Sequence, residues 1–212
     1  MMYLTRVELD GRNRKTQVAL EKPSMFHGAV ERAFEPRQKR VLWRIDQLGG
    51  VYYLLILSDS KPNNIINLVR QFCRSSADVA TKSYEPLLNK AEKDTIWRFR
   101  LVANPTYSVP LHNTKPVRNP IAAHITEEGQ LEWLKKRSEQ YGFTIVDDAC
   151  RITASEWKVF KKNKDADAPI NMLLVSYEGI LKVTDTSAFR TMLCSGIGRE
   201  KAYGAGMLTI CR

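Results

Sequence analysis

The stretch Ser195-Gly-Ile-Gly-Arg-Glu-Lys-Ala-Tyr-Gly-Ala-Gly-Met-Leu-Thr-Ile210 holds four of the chain's eleven glycines, at Gly196, Gly198, Gly204 and Gly206. Without a Cβ, paired Gly-x-Gly steps let consecutive amides converge on a phosphate. Arg199 and Lys201 add cations to the same loop. The residues that follow decide the fold. Met207-Leu-Thr-Ile210 is apolar and β-prone, so the loop runs into a closing strand and not into the long helix of a dinucleotide-binding fold. The string also reads as a tight turn with a glycine bulge ahead of an edge strand.

Upstream of that closing strand (206–211) lie a helix over 186–194, a β-run over 170–183, a strand over 143–152, a helix over 126–141 and a strand over 95–103. In chain order this is βαββαβ. The N-terminal part repeats it. Tyr3, Thr5, Val7 and Leu9 alternate as a strand, and Ser24 is placed to cap a helix over 25–34. Two β-runs, Arg40 to Asp46 and Val51 to Leu57, meet across Gly49-Gly50, a hairpin signal. A helix over 62–73 and a weak strand over 79–84 complete the unit. The chain is therefore α+β, with two tandem ferredoxin-like, RRM-like domains at 1–85 and 95–212 joined by a polar linker at 86–94. The repetition is one of pattern, not of alignable sequence. The second unit carries a basic hairpin from Trp157 to Asp167 and an irregular insertion from Pro105 to Pro120.

Thirty-three Lys and Arg against 23 Asp and Glu give a formal charge of +10. That balance favours a polyanionic partner, with nucleic acid foremost and membrane surfaces or ribosome-like scaffolds sharing it. Cysteines at 73, 150, 194 and 211 form neither a Cys-x-x-Cys pair nor a disulfide framework, as in a reduced cytoplasmic protein. No run approaches the roughly 18 apolar residues of a membrane span, and the first residues lack a signal-peptide pattern.

The histidines are His27, His112 and His124. His27 lies about 100° round its helix from Phe26, at the margin of the apolar stripe Phe26, Ala29, Val30, Ala33 and Phe34, where it can face a groove. By position alone such a histidine is more often structural than functional. Asp147-Asp148 and Asp165-x-Asp167 lack partners at metal-ligand spacing and read as solvated turns, and neither a P-loop nor a Gly-x-Ser-x-Gly elbow occurs. No metal or cofactor is expected. Chemistry restricted to histidine, hydroxyls, amides and cations suits RNA cleavage, because the substrate brings its own nucleophile. The 2′-OH attacks the adjacent phosphate, a histidine moves the proton, and cations and amides stabilise the phosphorane. Composition does not single this reaction out. Lys201-x-x-Gly204-x-Gly206 approximates an acyl-CoA loop, although without its helix, and Lys201-Ala-Tyr203-Gly204 echoes an RNA-recognition strand motif.

Several strings, in order along the chain, resemble the CasE family of CRISPR RNA-processing endoribonucleases. They are Met2-Tyr-Leu-Thr-Arg-Val, Met25-Phe-His27-Gly-Ala-Val, Trp97-Arg-Phe-Arg-Leu-Val-Ala-Asn-Pro105, Leu131-Glu-Trp-Leu-Lys-Lys-Arg137, Val175-Ser-Tyr-Glu-Gly-Ile-Leu181 and the terminal glycine stretch. The resemblance implies metal-independent cleavage of precursor CRISPR RNA at the base of the repeat hairpin, leaving a 2′,3′-cyclic phosphate or 3′-phosphate and a 5′-OH. It further implies that the processed guide RNA is retained and that the protein, a monomer when alone, joins a Cascade-type surveillance complex. The family's catalytic histidine falls on His27. Its RNA contacts fall on Arg32, on Lys158, Lys161 and Lys162 of the basic hairpin (Lys158 to Lys164), and on Gly196, Gly198, Arg199, Lys201, Gly204 and Gly206. Two positions depart from the pattern: Ser24 stands where the family has tyrosine, and Val102 where arginine is common. The alternative from another class is a catalytically silent RNA-hairpin-binding subunit of the same fold.

Overall fold

The computed structural model describes residues 1–38, 41–110, 119–162 and 168–212. The chain begins with β1 (Tyr3–Leu9), α1 (Arg14–Glu21), α2 (Ser24–Arg32), β2 (Leu42–Leu48), β3 (Val51–Ser58), α3 (Ile66–Phe72) and β4 (Val79–Ser83). These four strands form one antiparallel sheet in the order β2-β3-β1-β4. After α4 (Glu85–Lys90) come β5 (Ile96–Ala103), a small β6 (Thr106–Ser108) and β7 (Ile121–Ala123) ladder, α5 (Glu127–Gln140), β8 (Phe143–Phe160), β9 (Ile170–Val183), α6 (Thr186–Ser195) and β10 (Leu208–Cys211). The second sheet runs β10-β5-β9-β8, again antiparallel. In both sheets the first and third strands of the unit are central, which is the ferredoxin-like arrangement. Two such sheets in tandem make the α+β class expected above.

Period-2 alternation sends each face of the first sheet to a different core. Val7, Leu9, Trp43, Leu54 and Ile56 pack with Phe26, Ala29 and Val30 of α2 and with Leu68 and Phe72 of α3. The other face gives Leu42 and Leu57 to the core of the second unit, among Phe99, Leu101, Phe189, Met192 and Leu208. The units thus share one continuous apolar seam.

The seam holds a buried cation. Arg44, on the same face of β2 as Leu42, is 1% exposed. Its Nε and Nη2 donate to Asp46 Oδ1 and Oδ2 at 2.8 and 2.7 Å, Nη1 donates to the carbonyls of Arg100 and Met207 at 2.9 and 2.8 Å, and Nη2 also reaches Thr209 Oγ1 at 2.8 Å. Every guanidinium N–H therefore has an acceptor. Two carbonyls and a hydroxyl of the second unit are fixed to the edge strand of the first.

One helix appears where none was expected, and three local expectations are corrected. Residues 14–21 form a helix that the polar sequence concealed, because its buried face is only Thr16 and Ala19. It starts at Asn13, whose side chain accepts from Lys15 N. The segment read as a linker contains α4, with Leu88 and Ala91 in the core. The strand expected over 143–152 extends to Phe160, paired with β9 throughout except at register shifts, one of them spanning the positive-φ pair Asp147 and Asp148. Ser24 does not cap α2; it is the first helical residue, after Pro23.

Replacing Arg44 with alanine leaves the buried Asp46 carboxylate with Arg100 Nε alone, at 3.4 Å, and takes the guanidinium away from three acceptors of the second unit. Loss of about 3–5 kcal/mol is expected, read as a lower urea midpoint, and Arg44→Lys recovers little because an ammonium cannot reproduce the fork.

Candidate active site

Phe26 fixes the orientation of α2. It is 1% exposed and its ring meets those of Trp43 and Phe72 at centroid distances of 5.9 and 4.8 Å. With Phe26 driven inward, the next residue turns to the margin of the core. His27 is accordingly half-buried, its side chain 28% exposed, at the junction of the two units. Its Nε2 lies 3.6 Å from Glu31 Oε1 one turn on, and Glu31 Oε2 also meets Arg37 Nη2 at 2.8 Å. The exposed Arg32 folds back along the helix until Nη1 lies 3.2 Å from where a Cβ on Gly28 would sit. A glycine at position 28 thus leaves room for the Arg32 guanidinium against the helix surface.

The second unit supplies the facing wall. The Tyr203 ring stands edge-on to the His27 imidazole at 5.9 Å, and Phe160 packs on Tyr203 at 5.0 Å. Tyr203 ends a single 3-10 turn, Lys201–Tyr203, within the glycine stretch. Tyr203 and Gly204, with Trp43, Glu21, Glu156 and Lys158, line an inter-unit cleft of about 340 Å³.

The glycines mainly let chain approach chain. Gly196, Gly204 and Gly206 are buried. Ile197 N donates to Gly206 O at 2.8 Å and Gly206 N to Val102 O at 2.6 Å, so the loop closes on itself and on β5. Gly204 has φ 84°, and a Cβ there would come within 2.8 Å of the Trp43 ring, whose Nε1 donates to Ala202 O at 3.1 Å. The reading of a tight glycine turn before an edge strand accounts for these three positions. Gly198, half-buried on Trp133, and the exposed Arg199 form the outer surface of the loop. Lys201 Nζ donates to Ser195 O at 2.8 Å.

The hairpin lysines divide. Lys161 and Lys162 are exposed, and Lys161 O accepts from Ser24 Oγ at 3.5 Å. Lys158 instead turns inward, 7% exposed, donating to Glu156 Oε1 at 2.6 Å and Glu21 Oε2 at 3.1 Å. Burial by itself would lower its pKa, but the hydrogen bonds and charges of the two carboxylates more than offset that and raise it. Its charge is committed to a latch between the hairpin and α1, not to open solvent. Lys164, Asp165, Asp167 and His112 lie outside the described residues. His124 sits against Tyr107 at 4.8 Å, away from His27 in the sequence and among different neighbours, its pKa lowered chiefly by burial. Asp147 and Asp148 are exposed in the β8 bulge.

Sequence reading had no means of seeing Tyr203 beside His27 across 176 positions of chain, although an aromatic residue amid glycines was a signal of packing. Glu31, four residues after His27, was legible from helical spacing.

A half-buried histidine at the joint, with a carboxylate one turn along its helix and a tyrosine across from it, is the candidate site of a tandem ferredoxin-like protein. The chain belongs to the CRISPR-associated protein family, whose model matches residues 2–212. It is 26% identical over 221 residues to the CRISPR-associated endoribonuclease Cse3 of Thermus thermophilus, covering 99% of each protein. The structure of Thermus thermophilus Cse3 bound to an RNA representing a pre-cleavage complex superposes with a TM-score of 0.80 at 25% identity, covering 100% of this chain and 99% of that one. Cas6e from Escherichia coli K-12 shares the fold, with a TM-score of 0.63 at 20% identity over 98% of both chains.

The closing role of the glycines is open to measurement. Gly206→Ala, with φ 88° and a Cβ directed at the Ile197 carbonyl, is expected to cost at least about 2 kcal/mol. Gly49→Ala, with φ 56° but nothing within 4 Å, is expected to cost only about 1 kcal/mol, both read by chemical denaturation.

Proposed function

We propose that this chain is a CRISPR RNA-processing endoribonuclease in which His27 moves the proton. The observation that carries the reading is the placement of His27 at the junction of two ferredoxin-like units, in a chain similar along its whole length to an RNA-cleaving relative. The substrate is the repeat hairpin of precursor CRISPR RNA, cut at the base of its stem. The ribose 2′-OH attacks the adjacent phosphorus while the imidazole accepts or returns a proton, and the 5′-oxygen leaves. A 2′,3′-cyclic phosphate (or 3′-phosphate) and a 5′-OH result.

Arg32, lying over Gly28 next to His27, is suited to stabilise the charge that builds on the phosphorane. The exposed Lys161, Lys162 and Arg199 lie on the hairpin and loop flanking the joint, where they suit contacts to the stem backbone. Gly198 provides the accessible backbone of the loop, with Lys201 beside it. The buried Gly196, Gly204 and Gly206 serve indirectly, by shaping that surface.

Retention of the product fits a protein that contributes a bound guide RNA to a Cascade-type surveillance complex, entering it as a monomer in the cytoplasm. Slow single-turnover chemistry is sufficient for that task. Among the described residues no helix is long and apolar enough to cross a membrane.

The test is cleavage of the cognate repeat RNA in EDTA. Wild-type protein is expected to cut it and to leave untouched a substrate with 2′-deoxy at the scissile nucleotide. His27→Ala should lose at least about 10²-fold in rate while still binding. Binding without cleavage by the wild type would indicate the silent hairpin-binding subunit instead.

A further inference from the structure

We propose that Tyr203 is a positioning residue, holding the His27 imidazole in its working orientation from the opposite unit. The inference rests on the reading of His27 as the proton-transfer group. A histidine at the edge of a helix has several staggered side-chain rotamers, and only a subset points the imidazole at a bound phosphodiester. Here the ring is bounded on two sides. Glu31 Oε1 lies 3.6 Å from Nε2 along the helix, and the Tyr203 ring stands across it at 5.9 Å with an interplanar angle of 68°. An edge-on aromatic contact has a preferred geometry, so the pair favours one imidazole plane over others.

Tyr203 is itself held firmly enough to act as a reference. Its far side packs on Phe160 at 5.0 Å and 73°. Its amide donates to Glu200 O at 2.9 Å, and its neighbours Ala202 and Gly204 are tied to Trp43, one by the indole hydrogen bond and the other by close packing. Trp43 in turn contacts Phe26, the residue before His27. The chain of contacts is closed: Phe26 sets where the helix points, Trp43 sets where the glycine turn sits, and the turn sets the wall against which His27 rests.

The phenol does not provide a second base. Burial first, and the charge of Glu200 second, raise its pKa above that of an ordinary tyrosine, so it stays protonated at working pH. The ring, not an ionised oxygen, is what Tyr203 presents to the imidazole. This role explains why the turn must be glycine-rich at its core. Only a backbone that fits closely under Trp43 brings residue 203 to α2.

The experiment uses single-turnover cleavage of the repeat RNA at saturating protein, alongside the dissociation constant for the 2′-deoxy substrate. Tyr203→Phe keeps the ring and should cleave within about threefold of wild type, while Tyr203→Leu and Tyr203→Ala should fall by about ten- to a hundredfold, the scale of a misplaced catalytic group. The dissociation constant should stay within about threefold throughout. If Tyr203→Ala does not fold, the leucine-to-phenylalanine comparison decides, because leucine keeps the site filled. Wild-type rates for Tyr203→Leu, a phenylalanine variant as slow as leucine, or affinity falling in step with rate would each overturn the proposal. His27→Ala is run beside them. If it cleaves normally, the assignment of His27 fails; if it is inactive while Tyr203→Leu is unimpaired, only the role of Tyr203 fails.

Discussion

The Arg44 guanidinium has five N–H donors, and all five find acceptors between Asp46 and the second unit. A cation so deeply buried would be intolerable unpaired, and removing its partners would be equally so. The requirement is met only when β2 of the first sheet lies against β5 and β10 of the second. That single constraint sets the relative placement of the two units, to a precision that the apolar seam around Leu42 and Leu57 would not provide by itself. Apolar contact tolerates sliding; a fully satisfied fork does not.

The site is built on what that placement brings together. Trp43 and Arg44 are adjacent on β2, and their side chains take opposite faces. Arg44 grips β5 at Arg100 O and β10 at Thr209 Oγ1, while Trp43 holds the glycine turn that carries Tyr203. A second link crosses the joint at Lys158, which ties the β8–β9 hairpin to α1 through Glu21. The same hairpin meets α2 at Ser24 through the Lys161 carbonyl. Each element near His27 is therefore anchored on both units, and the cleft between them has fixed walls.

For an RNA-cleaving reaction this economy of parts is consistent. The ribose supplies the nucleophile, so the protein must supply a proton-transfer group, positive charge near the phosphate and a fixed geometry. On the proposed reading, His27, Arg32 and the inter-unit packing meet those three needs. Glu31 is shared between His27 and Arg37, which keeps the carboxylate engaged on both of its oxygens. The basic excess of the whole chain adds attraction to a polyanion without fixing where it binds.

The sequence by itself determined the α+β class, the two βαββαβ orders, the inward face of α2 and hence the marginal placement of His27. All of these follow from local periodicity: alternation in strands, a 3.6-residue repeat in helices, and breaks at glycine and proline. It also contained the resemblance, carried by short strings spread over the chain. It did not determine that Lys158 would turn inward to two carboxylates, that three of the four loop glycines would be buried against Leu42, Trp43 and Ile197, or that Tyr203 would face His27. Helix α1 escaped because a face of Thr16 and Ala19 leaves almost no apolar period, and β8 was read short because its stretch from Thr153 to Trp157 is exposed and the next buried position is the charged Lys158. These features depend on contacts between residues far apart in the chain. Such contacts leave no local pattern, and they are decided where one sheet packs against the other.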